Sequence, residues 1–201
     1  MKRTAVLASC LLLVACYAGG KRGGDSALAV YDFGPPAIQS PALPRRSEMA
    51  LEVRAPLWMD SMGIEYRLDY SDPARPRDYT RARWAGPPAQ LIQQRLVQQL
   101  GLMSSGQGKA RCVLRIDIDA FNQVFDDPAS SRGQLLGSAR LLDRSRATLA
   151  TYDFKLEKPA PSADSRGGVA ALAAAVDQLA ADLAAWERSV AGSGKGAACS
   201  G

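Results

Sequence analysis

The stretch ARCVLRIDIDAF, residues 110–121, decides how the chain folds. Leu114, Ile116, Ile118 and Ala120 alternate with Arg115, Asp117 and Asp119. That period of two puts successive side chains on opposite faces of a strand. One face is apolar and the other charged, so the strand belongs to a sheet with one side buried and the other wet. Toward the C-terminus, a loop rich in Asp, Pro and Ser (126–132) leads into GQLLGSARLLD, and RATLATYDFKL follows a tight turn near Arg144. These three segments read as an antiparallel meander. A long helix closes the chain, from Arg166 to about Val190. Leu172, Val176, Leu179, Leu183, Trp186 and Val190 recur at steps of four, three, four, three and four, which makes one apolar stripe. Alanines beside the stripe let the helix approach a sheet closely. A coiled-coil partner suits the same spacing, but the missing charged pattern at the flanking positions favours packing on the core.

Toward the N-terminus, Pro87-Pro88 suits the first turn of a helix, where a missing N–H costs little. Ile92, Leu96 and Leu100 line one face of it with Leu91 beside them, glutamines (Gln93, Gln94, Gln98, Gln99) cover much of the rest, and Gly101 closes it. Before that, Ile64, Tyr66, Leu68 and Tyr70 alternate with Glu65, Arg67 and Asp69, a half-buried strand. Ser71-Asp72-Pro73 opens a turn and Tyr79 to Trp84 returns, giving a hairpin whose tip carries Arg75, Arg77 and Arg81. MALEVRAPLW is a further strand, with Leu51, Val53 and Ala55 on one side and Glu52 and Arg54 on the other. ALAVYDF (27–33) is a first strand stopped by Gly34-Pro35-Pro36. The order implies an α/β fold of α+β type: a mainly antiparallel, curved sheet with two amphipathic helices packed on it, in a single domain. There is no internal repeat.

The front end has a different logic. Met1-Lys2-Arg3 is a positive cap, and the apolar run from Ala5 to Ala15 is interrupted only by Ser9 and Cys10. Such a run falls within the ~7–15 residues of a secretory signal core and short of the ~20 that span a bilayer. Its end, Leu13-Val14-Ala15-Cys16, resembles the lipobox of bacterial lipoproteins. The resemblance implies a diacylglyceryl group on the Cys16 thiol and cleavage between Ala15 and Cys16. Several acyl chains, at ~0.8 kcal/mol per buried methylene, anchor far better than one. Leu7-Ala8-Ser9-Cys10 fits the same box but leaves too short a signal core. An ordinary cleaved signal with a bystander cysteine is the alternative. In enterobacterial-type sorting an aspartate after the cysteine goes with inner-membrane retention. Tyr17 stands there instead, so the expected address is the outer membrane, facing the periplasm. The expected organisation is a signal peptide over 1–15, a flexible tether over 16–26, a domain over 27–191 and a disordered tail over 192–201.

Removing the signal leaves 201 − 15 = 186 residues, and a domain of roughly 150 can bury about 70% of its unfolded surface. The net charge of +5 falls to +3 with the loss of Lys2 and Arg3. No run of five like charges occurs, so a solvated surface explains the basicity; weak attraction to anionic lipid head groups is the functional alternative. An exported chain of this kind is a poor candidate for nucleic acid. Cys112 and Cys199 remain after processing. The periplasm permits a disulfide, but GSGKGAACSG around Cys199 reads as disordered, which argues against the pair. No cysteines have metal spacing, and no cofactor is expected. The chain contains no histidine, which removes the usual general base, the Ser-His-Asp arrangement and the common zinc ligand. An enzyme is not expected.

Tyr66, Tyr70, Tyr79 and Trp84 on the hairpin suit cross-strand aromatic pairing. The functional alternative is a partner-docking surface rimmed by Arg75, Arg77 and Arg81, since aromatics and arginine are enriched at binding hot spots. Asp117 and Asp119 superficially suit a carboxylate pair, but Arg115 two residues earlier favours a charge-balanced, solvated face. Trp58 and Met59, beside Met62, form an apolar lip that touches lipid or a partner, or else lies under a loop.

The run from Leu51 to Gly101 resembles the auxiliary lipoproteins of ABC-type transporters, the group that accompanies mammalian-cell-entry (MCE) domain lipid-transport systems. The likeness rests on a strand ending near Pro56-Leu57, Asp60 before the Ile64-Glu65-Tyr66-Arg67 strand, and a return strand with Tyr79 and Arg83-Trp84. Pro87-Pro88 ahead of Leu91, Leu96 and Leu100 completes it, followed by VLRIDIDAF, the meander and the last helix. The resemblance covers about Tyr31 to Val190. It departs at LWMDSMG, where relatives more often carry a Leu-Pro-x-Tyr-Leu type segment. What it implies is a periplasm-facing lipoprotein that works with an ABC permease, its ATPase and an MCE-domain protein to move lipid or another hydrophobic compound between the membranes. It implies no catalytic residues. A protein that itself carries lipid between helix and sheet, a structural envelope lipoprotein and an envelope hydrolase are the rival readings.

Overall fold

The computed structural model describes residues 27–35, 48–105, 110–194 and Cys199. Cys16, the expected signal over 1–15 and the tether over 16–26 lie outside the described residues. Along the chain come β1 (Ala29–Tyr31), β2 (Met49–Arg54), a 3-10 turn (Leu57–Met59), β3 (Gly63–Leu68), β4 (Asp72–Trp84), α1 (Pro88–Leu100) and β5 (Met103–Ser104). The C-terminal half adds β6 (Cys112–Phe125), β7 (Ser131–Leu142), β8 (Thr148–Pro159) and α2 (Ser165–Gly192).

β6 is the spine. On one side the antiparallel meander forms as expected, with Leu114 opposite Leu141 and Leu135 opposite Leu156. The other edge of β6 corrects the expectation of a mainly antiparallel sheet. β2 pairs there in parallel from Met49 opposite Cys112 to Arg54 opposite Asp117, and β3 rejoins the same edge, also parallel, at Tyr66 opposite Gln123. β1 lies parallel to β4, and β5 parallel to β2. The sheet is therefore mixed, in the order β1-β4-β3-β6-β2-β5, with β7 and β8 extending from β6. Parallel pairing needs a long crossover, and α1 lies in the chain between β2–β4 and β6.

The β3–β4 hairpin is antiparallel as expected, but its return strand starts at Asp72 rather than Tyr79. Pro73 and Pro76 fall in a register irregularity between Asp72 and Arg77, the kind of place where a strand tolerates proline. β6 carries a bulge: Ile118 faces Gly137 and Ala120 faces Leu136, leaving Asp119 as the extra residue. The alternation shifts there, and Phe121 rather than Ala120 enters the core.

Both helices pack on one face. Leu172, Val176, Leu179 and Leu183 of α2 are buried, as are Ile92, Leu96 and Leu100 of α1. Gly101 ends α1 with a φ of 64°, the left-handed conformation that favours glycine. By length and composition α2 could cross a membrane, yet half of its most apolar window is buried within the domain. The stripe serves the core. On the opposite face of the sheet, charges pair with one another: Arg54 and Arg115 both reach Glu52 (2.6 and 3.0 Å), and Arg140 reaches Asp117 (2.6 Å). Burial alone would raise the Glu52 carboxyl, but the hydrogen bonds from the two arginines hold it below the usual range. Asp117 is thus half of an ion pair and Asp119 an exposed bulge residue, so the charge-balanced reading of that face holds.

Cys199, in the stretch expected to be unstructured, is buried and disulfide-bonded to Cys112, with the two Cα atoms 5.4 Å apart. The bond fastens the chain beyond α2 to the first residue of the spine.

Asp164 caps α2 by accepting the Gly167 N–H at 2.8 Å. That backbone hydrogen bond, with one from the Ser162 hydroxyl, holds the Asp164 carboxyl below its usual range. The native state therefore favours the charged form. Its contribution is full above an unfolded carboxylate pKa of about 3.9 and is lost as the pH falls through the lower folded value. Asp164→Ala is expected to cost about 1 kcal/mol at pH 7. In urea melts, the gap between variant and parent should close as the pH is lowered from 5 toward about 2.

Candidate docking site

β2 and β3 lie end to end along one edge of β6, and the chain between them leaves the sheet. Residues 55–65 (65 − 54 = 11) bridge two pairing points that only residues 118–122 (122 − 117 = 5) separate on β6. The surplus forms a protruding turn. Pro56 starts it, the backbone N–H groups of Met59 and Asp60 donate to Pro56 and Leu57 carbonyls, and the Trp84 N–H donates to the Met62 carbonyl at its far end. A small residue count pinned at both ends cannot bury all its side chains. Met59 packs against the core, while Leu57 is 89% and Trp58 75% exposed, with Met62 also exposed. The exposed reading of this lip holds for Trp58 and Met62 but not for Met59, which packs inward.

Beside the turn lies a cleft of about 250 Å³ lined by Trp58, Met59, Phe121, Glu65, Arg77 and Asp78, among others. Phe121 gives it an apolar floor and belongs to the core through ring contacts with Phe33 and Trp84 (6.0 and 5.7 Å). A second cleft, about 310 Å³, runs along α1 between Val53, Val97 and the glutamines Gln90, Gln93, Gln94 and Gln98. There the Gln93 side chain accepts the Val53 backbone N–H at 3.2 Å.

The hairpin residues expected to dock divide into three groups. Trp84 leaves the docking set altogether: it is 1% exposed and sealed under Phe33 at 5.4 Å. Tyr66 and Tyr79 stack at 4.7 Å, and the Tyr79 hydroxyl donates to Gln123, whose amide donates to Ser131. Burial, reinforced by Tyr66 and Asp164, raises the Tyr79 phenol far above its ordinary range, so it stays neutral. These two tyrosines hold the sheet together. Tyr70, Arg75 and Arg81 are exposed on the hairpin, and Arg77 lines the cleft beside Trp58.

Sequence reasoning missed Leu57, Phe121 and Arg95. Leu57 and Trp58 carried a signal: two large apolar residues in succession after Pro56 break the alternation of β2. Arg95 carried none. It is buried in α1, donates to the Phe33 and Gly34 carbonyls at 2.5 and 2.9 Å, and pairs with Asp177 of α2 at 3.4 Å. It joins the N-terminal entry of the domain to both helices.

No curated protein matches the chain. The crystal structure of protein XCC0632 from Xanthomonas campestris, described as DUF330, is similar with a TM-score of 0.68 and 20% identity over 82% of this chain and 98% of that one. A crystal structure of an uncharacterized protein gives 0.60 and 17% identity over 79% and 97%. At these identities the likeness is one of fold. A family model described as "ABC-type transport auxiliary lipoprotein component" matches residues 31–184. Since that match takes in most of the chain, with every strand of the described residues except Ala29 and Val30 of β1, the chain belongs to the ABC-type transport auxiliary lipoprotein family.

Proposed function

We propose that this protein is anchored through Cys16 in the outer membrane, faces the periplasm, and docks onto the MCE-domain component of an ABC-type lipid-transport system. Its role is positional rather than catalytic. Cys16 fixes it, residues 16–26 give reach, and the domain presents a contact surface to the partner, which itself works with the permease and ATPase. The observation that carries this reading is the Leu57–Trp58 turn, two large apolar side chains held in solvent by a turn tied at both ends to the sheet. Buried aromatic anchors supply most of the energy at protein interfaces, and neighbouring exposed apolar side chains are the surface from which such an anchor can be made.

A lipid carrier finds less support. The space between α2 and the sheet is filled by Leu172, Ala175, Val176 and Leu179. The two surface clefts described, about 310 and 250 Å³, lie at and below the lower end of the roughly 300–1,000 Å³ that ligand pockets of drug size occupy.

Trp58→Ala is expected to leave the melting temperature of the domain unchanged and to reduce recovery of the MCE-domain partner in detergent co-purification by at least about tenfold, a hot-spot loss. Undiminished recovery would remove the turn from the interface. Cys16→Ser is expected to release the protein from the membrane fraction.

A further inference from the structure

β2 is an inner strand for only part of its length. Along its outer edge β5 pairs with Ala50 and Leu51, and the Ser105 N–H donates to the Leu51 carbonyl. Among the described residues no strand continues that pairing, although β2 runs on to Arg54. Backbone groups of alternate residues face the same edge of a strand, so Val53 presents its N–H and C=O where β5 has stopped. Such an edge is a template for another strand. A side chain now occupies it: the Val53 N–H donates to the Gln93 carboxamide oxygen at 3.2 Å. That oxygen is chemically the carbonyl of a neighbouring strand, supplied by a helix instead. The cleft along α1 opens at this point, and its lining of four glutamines with Val53, Ala89, Val97 and Ser104 carries no charge. Carboxamides donate and accept as peptide groups do, so the lining suits an uncharged chain rather than an ion. The cleft also leads toward the docking turn, since Ala89 and Gln90 line it while Pro88 lines the cleft beside Trp58.

We propose that an extended, uncharged segment of the transport partner adds to the open edge of β2 beside Val53, displacing the Gln93 carboxamide and continuing the line of β5. The inference rests on the docking reading and names how the docked segment is held. Strand addition takes its affinity from main-chain hydrogen bonds and its selectivity from pockets for alternate side chains. Here the backbone of Val53 supplies the bonds, and the cleft between Val53, Val97 and the glutamines receives small aliphatic or hydroxyl side chains. A charged side chain would enter a cleft that offers it no counter-charge. A sugar chain would satisfy the glutamines but has no peptide ladder to match the strand edge.

The test uses the full-length protein and three probes: a blocked pentapeptide of alternating threonine and valine, its fully N-methylated form, and the trimer of N-acetylglucosamine. Binding is read by NMR from hydrogen exchange at the Val53 amide. The peptide is expected to slow that exchange at least tenfold at saturation. The N-methylated form keeps the side chains but lacks the donors, and should bind at least tenfold more weakly. Gln93→Ala, which leaves no carboxamide to displace, is expected to tighten peptide binding severalfold. Gln93→Glu, whose carboxylate holds the Val53 N–H more strongly, is expected to weaken it at least tenfold. No protection of Val53 by the peptide would overturn the proposal, as would equal protection by the N-methylated form or the sugar, or weaker binding in Gln93→Ala. If either variant does not fold, the probe comparison in the unmodified protein decides alone. Partner co-purification separates the two readings. Recovery lost in Trp58→Ala but kept in a folded Gln93→Glu overturns this inference and leaves the docking turn standing; the reverse pattern upholds strand addition and removes the turn.

Discussion

Replacing Cys112 and Cys199 together with alanine is expected to lower the stability of the domain by about 4–5 kcal/mol, the chain-entropy value for a crosslink of this span. The bond joins residues 87 apart in sequence, so the unfolded chain regains a very large loop when it is lost. For a domain of this size the corresponding fall in Tm is roughly 10–15 °C. Reductant added to the unmodified protein should reproduce most of the drop. Calorimetry on both samples checks it, and a change below about 1 kcal/mol would mean that the bond does not constrain the unfolded state. Such dependence on a disulfide fits an exported protein, since the cytosol would keep both thiols reduced.

Gly133→Val is the second large effect. A Cβ at Gly133 in β7 would lie 2.7 Å from the Leu172 nitrogen and 2.8 Å from the Ala171 carbonyl carbon of α2. Those are backbone atoms of a helix packed along the sheet, so the clash cannot be relieved by turning a side chain. Overpacking of this kind costs roughly 3 kcal/mol, and denaturant melts would measure it. The same contact bears on function. If α2 opened from the sheet to admit a lipid, the helix could shift at little cost and the valine would be tolerated. A loss under about 0.5 kcal/mol would therefore revive the carrier.

What the sequence made legible was local. The alternation of β6, the meander that follows it and the stripe of α2 could each be read because strand and helix periods are written in neighbouring residues. The direction of pairing was not. Leu51 and Val53 of β2 mark a buried face whether the partner runs parallel or antiparallel, so the attachment of β2 and β3 to one edge of β6 had no local sign. Nor did the bulge at Asp119, which depends on the opposing Gly137 and Leu136. Cys199 follows a glycine-rich stretch that read as unstructured, and its partner became evident only from where α2 ends. At the candidate site, Trp58 was legible as part of a lip because it follows Pro56-Leu57 and interrupts the strand pattern, whereas the inward packing of Met59 had no local sign. Trp84 looked equally suited to an interface, since its burial comes from Phe33 and Phe121, distant in the chain.

The measurement that tests the central claim most directly is co-purification from native membranes, with the C-terminally tagged protein extracted in mild detergent and its associated proteins and lipids identified by mass spectrometry. The account expects an MCE-domain protein in near-stoichiometric amount, little bound lipid, and loss of that partner in Trp58→Ala. Stoichiometric lipid with no transport component, unchanged by Trp58→Ala, would contradict it.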